Sequence, residues 1–146
     1  QAYSVVTNSI PTALELSGAG LREVQLLGGT VRPISQAVVG STALRTLALI
    51  QADVAFVGTN ALSVEHGLST ADAQEAAVKA AMVTNAQRVV VLCDSTKLGN
   101  DYVVSFAPLS EIDVVVTDAG APPAFVEELR SHGVEVILAS VEPLRD

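Results

Sequence analysis

Apolar positions along this chain fall into two alternating patterns. Short unbroken runs read as buried strands, and longer stretches in which apolar residues return at helical spacing read as helices packed on one face. Tyr3 to Thr7 reads as a strand, after which Asn8-Ser9 caps a helix with Pro11 in its first turn and Gly18 just past its end. Glu23 to Leu27 is a second strand closed by Gly28-Gly29-Thr30, followed by an extended stretch from Val31 to Val39. Gly40-Ser41 opens a helix through about Ile50, with Leu44, Leu47 and Ala48 on one face. Val54 to Gly58 is a strand again, and Thr59 to Ser69 reads as the longest polar-tinged loop. A helix from about Asp72 to Asn85 turns Ala73, Ala76, Ala77 and Ala80 to a sheet and carries Asp72, Glu75 and Lys79 on its polar face. Arg88 to Cys93 is the central strand, Tyr102 to Phe106 a short extended piece, and Asp113 to Thr117 a buried run ending at Asp118. Pro122-Pro123 starts a helix with Phe125, Val126 and Leu129 inward; Gly133 ends it, and Val134 to Leu138 is the last strand.

Strand then helix, repeated, predicts an α/β fold: a mostly parallel, Rossmann-like sheet with helices on both faces. The 146 residues show no linker, repeat or low-complexity tract, so residues 1–146 read as one domain. Its core is built from Ala, Val and Leu, since 49% of residues are hydrophobic and only 3% aromatic. A net charge of −8 excludes the basic footprint that nucleic-acid binding requires, so any DNA contact falls to another part of the protein. The single Cys93 lies inside an apolar run, which excludes an intrachain disulfide and points to a reducing compartment, the cytoplasm. No window approaches the roughly 18 unbroken apolar residues of a membrane span, and the start at Gln1 lacks both a signal-peptide layout and an initiator Met. The chain therefore reads as a piece of something longer, with no membrane partner.

Candidate chemistry gathers where the strands stop. The run Val89 to Cys93 ends abruptly at Asp94-Ser95-Thr96-Lys97. In open α/β sheets ligands collect at such C-terminal tips, where an acid accepts hydroxyl protons and a lysine holds an anionic oxygen as a mobile point charge. The other tips are Thr7-Asn8-Ser9, Gly28-Gly29-Thr30, Gly58-Thr59-Asn60 and Thr117-Asp118, all small, hydroxyl-bearing or amide-bearing. A sugar phosphate is the ligand class that uses all of these groups together with helix N-termini. Each residue also has a plainer role: Asn8-Ser9 as a helix cap, Gly28-Gly29 as suppliers of positive φ, Asp72 with Glu75 as a capping box, and Glu75 with Lys79 as an i,i+4 pair. Arg32 reads equally as a phosphate ligand or a subunit contact. His66 and His132 lack metal-ligand spacing and read as loop or surface residues, and Ser9, Ser69 and Ser95 lack a nucleophile elbow.

Thr-Asn-Ser at 7–9, Leu27-Gly-Gly-Thr-Val-Arg32, Val39-Gly40, Ala55-Phe-Val-Gly58, Glu65-His-Gly-Leu-Ser-Thr70, Lys79-Ala-Ala-Met82 and Leu92-Cys-Asp-Ser-Thr-Lys97 succeed one another in an order and spacing that resembles the C-terminal sensor domain of DeoR-type bacterial transcriptional repressors. The resemblance spans nearly the whole chain. It implies a fold similar to ribose-5-phosphate isomerase and CoA transferases, and a non-enzymatic sensor for a phosphorylated sugar or related metabolite. That ligand would alter operator binding by a homo-oligomer through a separate winged helix-turn-helix domain. Two departures stand out. The winged helix is absent, and so is the preceding Gly-Thr-Thr loop that in this family looks like the principal phosphate loop, leaving the sugar-facing half of the pocket. Ribose-5-phosphate isomerases also carry a run of aspartates where this chain has Thr59-Asn60-Ala61. Without a positioned acid to move the proton, isomerase chemistry is not expected.

The resulting ligand-binding set is Thr7, Asn8, Ser9, Gly28, Gly29, Thr30, Arg32, Thr59, Asn60, Asp94 and Lys97, with no cofactor and no metal. Thr7, Gly29, Gly58 and Asp94 should then share one sheet edge, and Thr59 to Ser69 and Arg32 to Gly40 should be the segments that move with ligand. The competing readings are an isomerase-class enzyme using Glu75 as base and Lys97 as electrostatic stabiliser, and an interaction module that binds no metabolite.

Overall fold

The structure, a computed structural model, describes residues 3–140. The chain divides into two compact units, Gln1–Ile50 and Gln51–Asp146, each with two sheets of its own.

In the first unit β1 (Ser4–Thr7) and β2 (Glu23–Leu26) pair in parallel, with Thr7 opposite Leu26. Between them runs α1 (Ile10–Gly18), capped by the Ser9 hydroxyl, which accepts the Thr12 N–H at 3.3 Å. Gly18 is the last helical residue rather than the one beyond it; the left-handed stop is Gly20, at φ 87°. The stretch from 31 to 39 is not one extended segment. It folds back as a hairpin of β3 (Thr30–Arg32) and β4 (Ala37–Val39), reversing through Pro33 and a left-handed Gln36 at φ 54°. Next comes α2 (Ser41–Leu47), shorter than expected. The N–H groups of Leu49 and Ile50 bond back three residues to Thr46 and Leu47, so the helix ends in tightened turns. Ala43 and Leu47 are its buried residues, Leu44 is half-buried, and Ala48 is exposed.

The second unit opens with β5 (Ala52–Gly58). The presumed loop after it is a buried antiparallel hairpin of β6 (Ala61–Ser63) and β7 (Gly67–Thr70), every residue of both strands being buried. Gly67 makes its turn possible, at φ 69° with any Cβ placed 2.0 Å from the Ala107 carbonyl oxygen. Helix α3 (Ala73–Thr84) comes next, its first turn capped by Asp72, which accepts the Glu75 N–H at 2.8 Å. Ala76, Val78 and Val83 are its buried residues, whereas Ala73 and Ala77 are exposed. Lys79 is drawn inward rather than left on a polar face. Its ammonium lies 5.6 Å from the centre of the Phe106 ring, and burial lowers its pKa against the opposing pull of Glu75.

The unit continues through β8 (Ala86–Leu92), β9 (Val104–Ala107), β10 (Val114–Asp118), α4 (Pro123–Ser131) and β11 (Glu135–Ala139). Strands β11, β10, β8 and β5 form, in that order, a parallel sheet with β8 inside it, and β9 pairs with β7 in the smaller antiparallel sheet. The fold is α/β, a four-stranded parallel sheet flanked by helices. Val57, Val91, Val115 and Val136 project from the sheet into one cluster with Ala76 and Val83 of α3 and Val126 and Leu129 of α4. Each fully buried Val or Leu contributes about 1.5–3 kcal/mol. Among the described residues, no helix is long and apolar enough to cross a membrane.

Candidate functional site

Register decides which strand ends meet. In the second unit Gly58 lies opposite Leu92, and Leu92 opposite Val116, so the ends of β5, β8 and β10 open on one edge of the parallel sheet. Gly58 and Asp94 share that edge, as do Cys93 and Asp118; the Cys93 N–H reaches the Val116 carbonyl at 3.2 Å. In the first unit Thr7 and Leu26 end together, which places Thr7-Asn8-Ser9 and Gly28-Gly29-Thr30 at one end of the β1–β2 pair.

After β8 the chain makes a single 3-10 turn, Ser95–Lys97. Asp94 caps it: one carboxylate oxygen accepts the Thr96 N–H at 2.9 Å and the Thr96 hydroxyl, and the other lies 3.5 Å from Lys97 Nζ. The Asn100 side-chain NH2 donates to the Thr96 carbonyl at 2.9 Å and fixes the far side of the turn. The Thr96 hydroxyl and N–H, with a lesser contribution from the Lys97 charge, hold the Asp94 carboxyl below the ordinary carboxylate range. Asp118 is held down as well, by the Ser95 N–H, the Ser95 hydroxyl and the Gly120 N–H. Burial, reinforced by Asp94 and Asp118, pushes the Cys93 thiol up to about 11. This environment favours the neutral thiol over the thiolate. At this edge Lys97 is a partly exposed cation, 37% exposed, paired with the more exposed Asp94 carboxylate and in long contact with the Thr96 hydroxyl at 3.5 Å. A phosphate oxygen can take over that ammonium at little cost, because an exposed pair contributes at most about 1 kcal/mol.

The remaining expected site residues have firmer local partners. The Thr59 hydroxyl lies 2.7 Å from the Ala61 carbonyl and 3.0 Å from that of Ser69, and the Asn60 side-chain oxygen accepts from the Thr70 hydroxyl. Both residues thus tie down the β6–β7 hairpin. In the first unit the Thr7 hydroxyl accepts the Ser9 N–H at 3.1 Å, and the Asn8 NH2 group donates to the Val38 carbonyl at 3.2 Å. A Cβ on Gly29 would stand 2.6 Å from the Val39 carbonyl oxygen, so its backbone must pass close to β4, while Gly28 is open. Thr30 and Arg32 begin and end β3, opposite Val39 and Ala37.

Sequence reasoning passed over Asp101. Its carboxylate accepts the Ser63 hydroxyl at 2.6 Å and lies 3.3 Å from His66 Nδ1, while the His66 N–H donates to the Ser63 hydroxyl at 3.1 Å. The acid stands between serine and imidazole, so the hydroxyl meets the carboxylate and not the imidazole, unlike the order of a Ser-His-Asp triad. The trio clamps the hairpin turn; only its separation in sequence hid it. A concavity of about 340 Å³ lies at the opposite edge of the sheet, lined by Val83, Thr84, Ala86, Gln87, Val89, Ser110, Glu111 and Asp113. Its wall carries two acids, Glu111 and Asp113, and no Lys or Arg, a lining ill suited to an anionic ligand.

A family model described as the DeoR C terminal sensor domain matches residues 1–119. The chain is 44% identical over 132 residues to the HTH-type transcriptional regulator GlpR of Haloferax volcanii, covering 90% of this chain and 51% of that protein. It is 34% identical over 143 residues to the HTH-type transcriptional repressor GlcR of Bacillus subtilis, covering 98% and 55%. With the Glycerol-3-phosphate regulon repressor of Escherichia coli it shares 25% identity over 134 residues, covering 92% and 53%. The chain thus spans about half the length of the curated relatives it matches.

Proposed function

The chain belongs to the DeoR C-terminal sensor domain family, and from that premise we propose that it binds a phosphorylated sugar or related metabolite whose presence alters operator binding by another part of a longer, cytoplasmic, homo-oligomeric protein. A regulatory role rather than turnover is what the family carries, its relatives being named regulators and repressors.

One observation supports the ligand class above the others. The edge shared by β5, β8 and β10 presents a cation, Lys97, whose partner Asp94 is exposed and exchangeable. Such a cation suits an anionic group. Asp94 would accept sugar hydroxyls once Lys97 turns to the phosphate. Asn60, supported by Thr59, is the neutral group proposed to assist at this edge; Thr7, Asn8, Ser9, Gly28, Gly29, Thr30 and Arg32 are proposed ligand-binding residues of the first unit, taken by itself. The net charge of −8 supports assigning DNA contact elsewhere.

The test is operator affinity of the full-length protein at fixed salt, with and without a panel that includes glycerol 3-phosphate and hexose phosphates. A ligand can shift DNA binding only by favouring one of two conformations or assemblies. We expect at least one phosphorylated compound to change operator affinity several-fold and its unphosphorylated parent to leave it unchanged. Tight metabolite binding with operator affinity untouched would overturn the regulatory proposal.

A further inference from the structure

Asp118 stands out at this edge because its charge has the wrong sign for an anion site, yet it sits at the tip of β10 beside the turn that carries Lys97. Charge alone would make an acid there a liability to phosphate binding. Its geometry offers a different reason for its presence. One carboxylate oxygen accepts the Ser95 N–H at 2.7 Å and the other the Gly120 N–H at 2.8 Å, so the carboxylate bridges the end of its own strand and the first residue of the Ser95–Lys97 turn. A three-residue 3-10 turn has little stability of its own and depends on such anchors. A side chain at Gly120 would press on the bridge: a Cβ there would stand 2.9 Å from Asp118 Oδ1 and 2.9 Å from Ser95 Oγ.

We infer that Asp118 is a positioning residue for anion recognition, holding the Ser95–Lys97 turn against β10 so that Lys97 presents its ammonium at the sheet edge. This rests on the assignment of Lys97 as the phosphate contact. Asp94 caps the turn from the β8 side and Asp118 from the β10 side, and the two acids do different work: Asp94 is exchangeable with ligand, and Asp118, with each oxygen on a backbone N–H, is not.

The sign of the effect separates this role from simple electrostatics. The experiment is calorimetry on the full-length protein with glycerol 3-phosphate, glucose 6-phosphate and fructose 6-phosphate, using Asp118→Ala, Gly120→Ala, Lys97→Ala and the Asp118→Ala/Lys97→Ala pair. Asp118→Ala should weaken the phosphorylated probe roughly fivefold to tenfold, as loss of a charged hydrogen-bond anchor would, although it removes a negative charge. Gly120→Ala, which keeps that charge and displaces the carboxylate, should weaken it in the same direction. In the Lys97→Ala background, Asp118→Ala should add nothing, since both act through one contact. Amide exchange on the same variants should quicken at residues 95–97 and stay unchanged at 89–91, which also reports that the variants are folded. Unchanged or tighter binding by Asp118→Ala, or a loss that persists undiminished without Lys97, overturns the inference and leaves the Lys97 assignment standing. Failure of every phosphorylated probe to bind the wild-type protein, or full retention of binding by Lys97→Ala, overturns the Lys97 assignment itself and the inference with it.

Discussion

The ends of β5 and β8 are neighbours in one sheet, Gly58 opposite Leu92, and each delivers a run of small polar residues to the same edge. They come to opposite ends. After β5, Thr59 and Asn60 are bonded into a hairpin whose strands are wholly buried, with Leu62 and Leu68 at 0% exposure. After β8, Asp94 and Lys97 stay accessible on a short turn, paired only with each other and with the turn itself. A polar strand tip is therefore not yet a binding site. The next segment of chain makes the difference: β6 and β7 bring apolar side chains that draw the first tip into the core, whereas the second tip is charged and cannot be buried without a large desolvation cost.

The contrast can be broken from the hairpin side first, where effects should be largest. Leu68→Ala should destabilise by about 2–5 kcal/mol, and Gly67→Ala by a similar amount because a left-handed φ and the Ala107 carbonyl both oppose a methyl group. Urea unfolding of each variant checks both; a change of a few tenths of a kcal/mol would mean that the hairpin is peripheral. Thr59→Val should cost about 1–2 kcal/mol, having removed a buried hydroxyl donor while its carbonyl partners remain. On the other tip, Lys97→Ala should change stability by under about 1 kcal/mol, the range of exposed ion pairs.

The smallest expected effect is a pH dependence confined to the charged tip. Asp94 and Asp118 both have folded-state pKa values lowered by hydrogen bonds, so their contribution is fully present above the unfolded carboxylate value of about 4 and is lost as pH falls through the lower folded values. Amide resonances of Ser95 and Thr96 should shift through that acidic window, with Leu62 and Leu68 unmoved. Equal shifts in both regions would erase the distinction between the tips.

Much of this architecture was legible in the sequence. Val89 to Leu92 and Val114 to Thr117 are apolar runs that nothing but a buried parallel strand accommodates well, and Pro11, Pro123 and Gly133 marked helix limits where the structure has them. The two hairpins were missed for a common reason. Strands as short as Ala61–Ser63 and Thr30–Arg32 carry too few residues to show alternation, and β7 is fixed by pairing with β9, which lies far along the chain. The segments expected to move with ligand are, in consequence, paired strands. The pairing of Asp94 with Lys97 was readable because residue type and i,i+3 spacing sufficed. The partnership of Asp101 with Ser63, 38 residues apart, and the bridge from Asp118 to Ser95, 23 residues apart, depend on register that no local pattern records.

The central claim is that the charged tip, not the hairpin tip, recognises the anion. Calorimetry on the full-length protein with a phosphorylated sugar and its unphosphorylated parent, for wild type, Lys97→Ala and Thr59→Val, tests it most directly. The account expects Lys97→Ala to lower affinity for the phosphorylated ligand by tenfold or more, from loss of a charge-assisted contact of about 1.5–3 kcal/mol, with the parent sugar little affected and Thr59→Val retaining the preference for phosphate. Equal losses for both ligands in Lys97→Ala, or disappearance of the preference in a folded Thr59→Val protein, would contradict it.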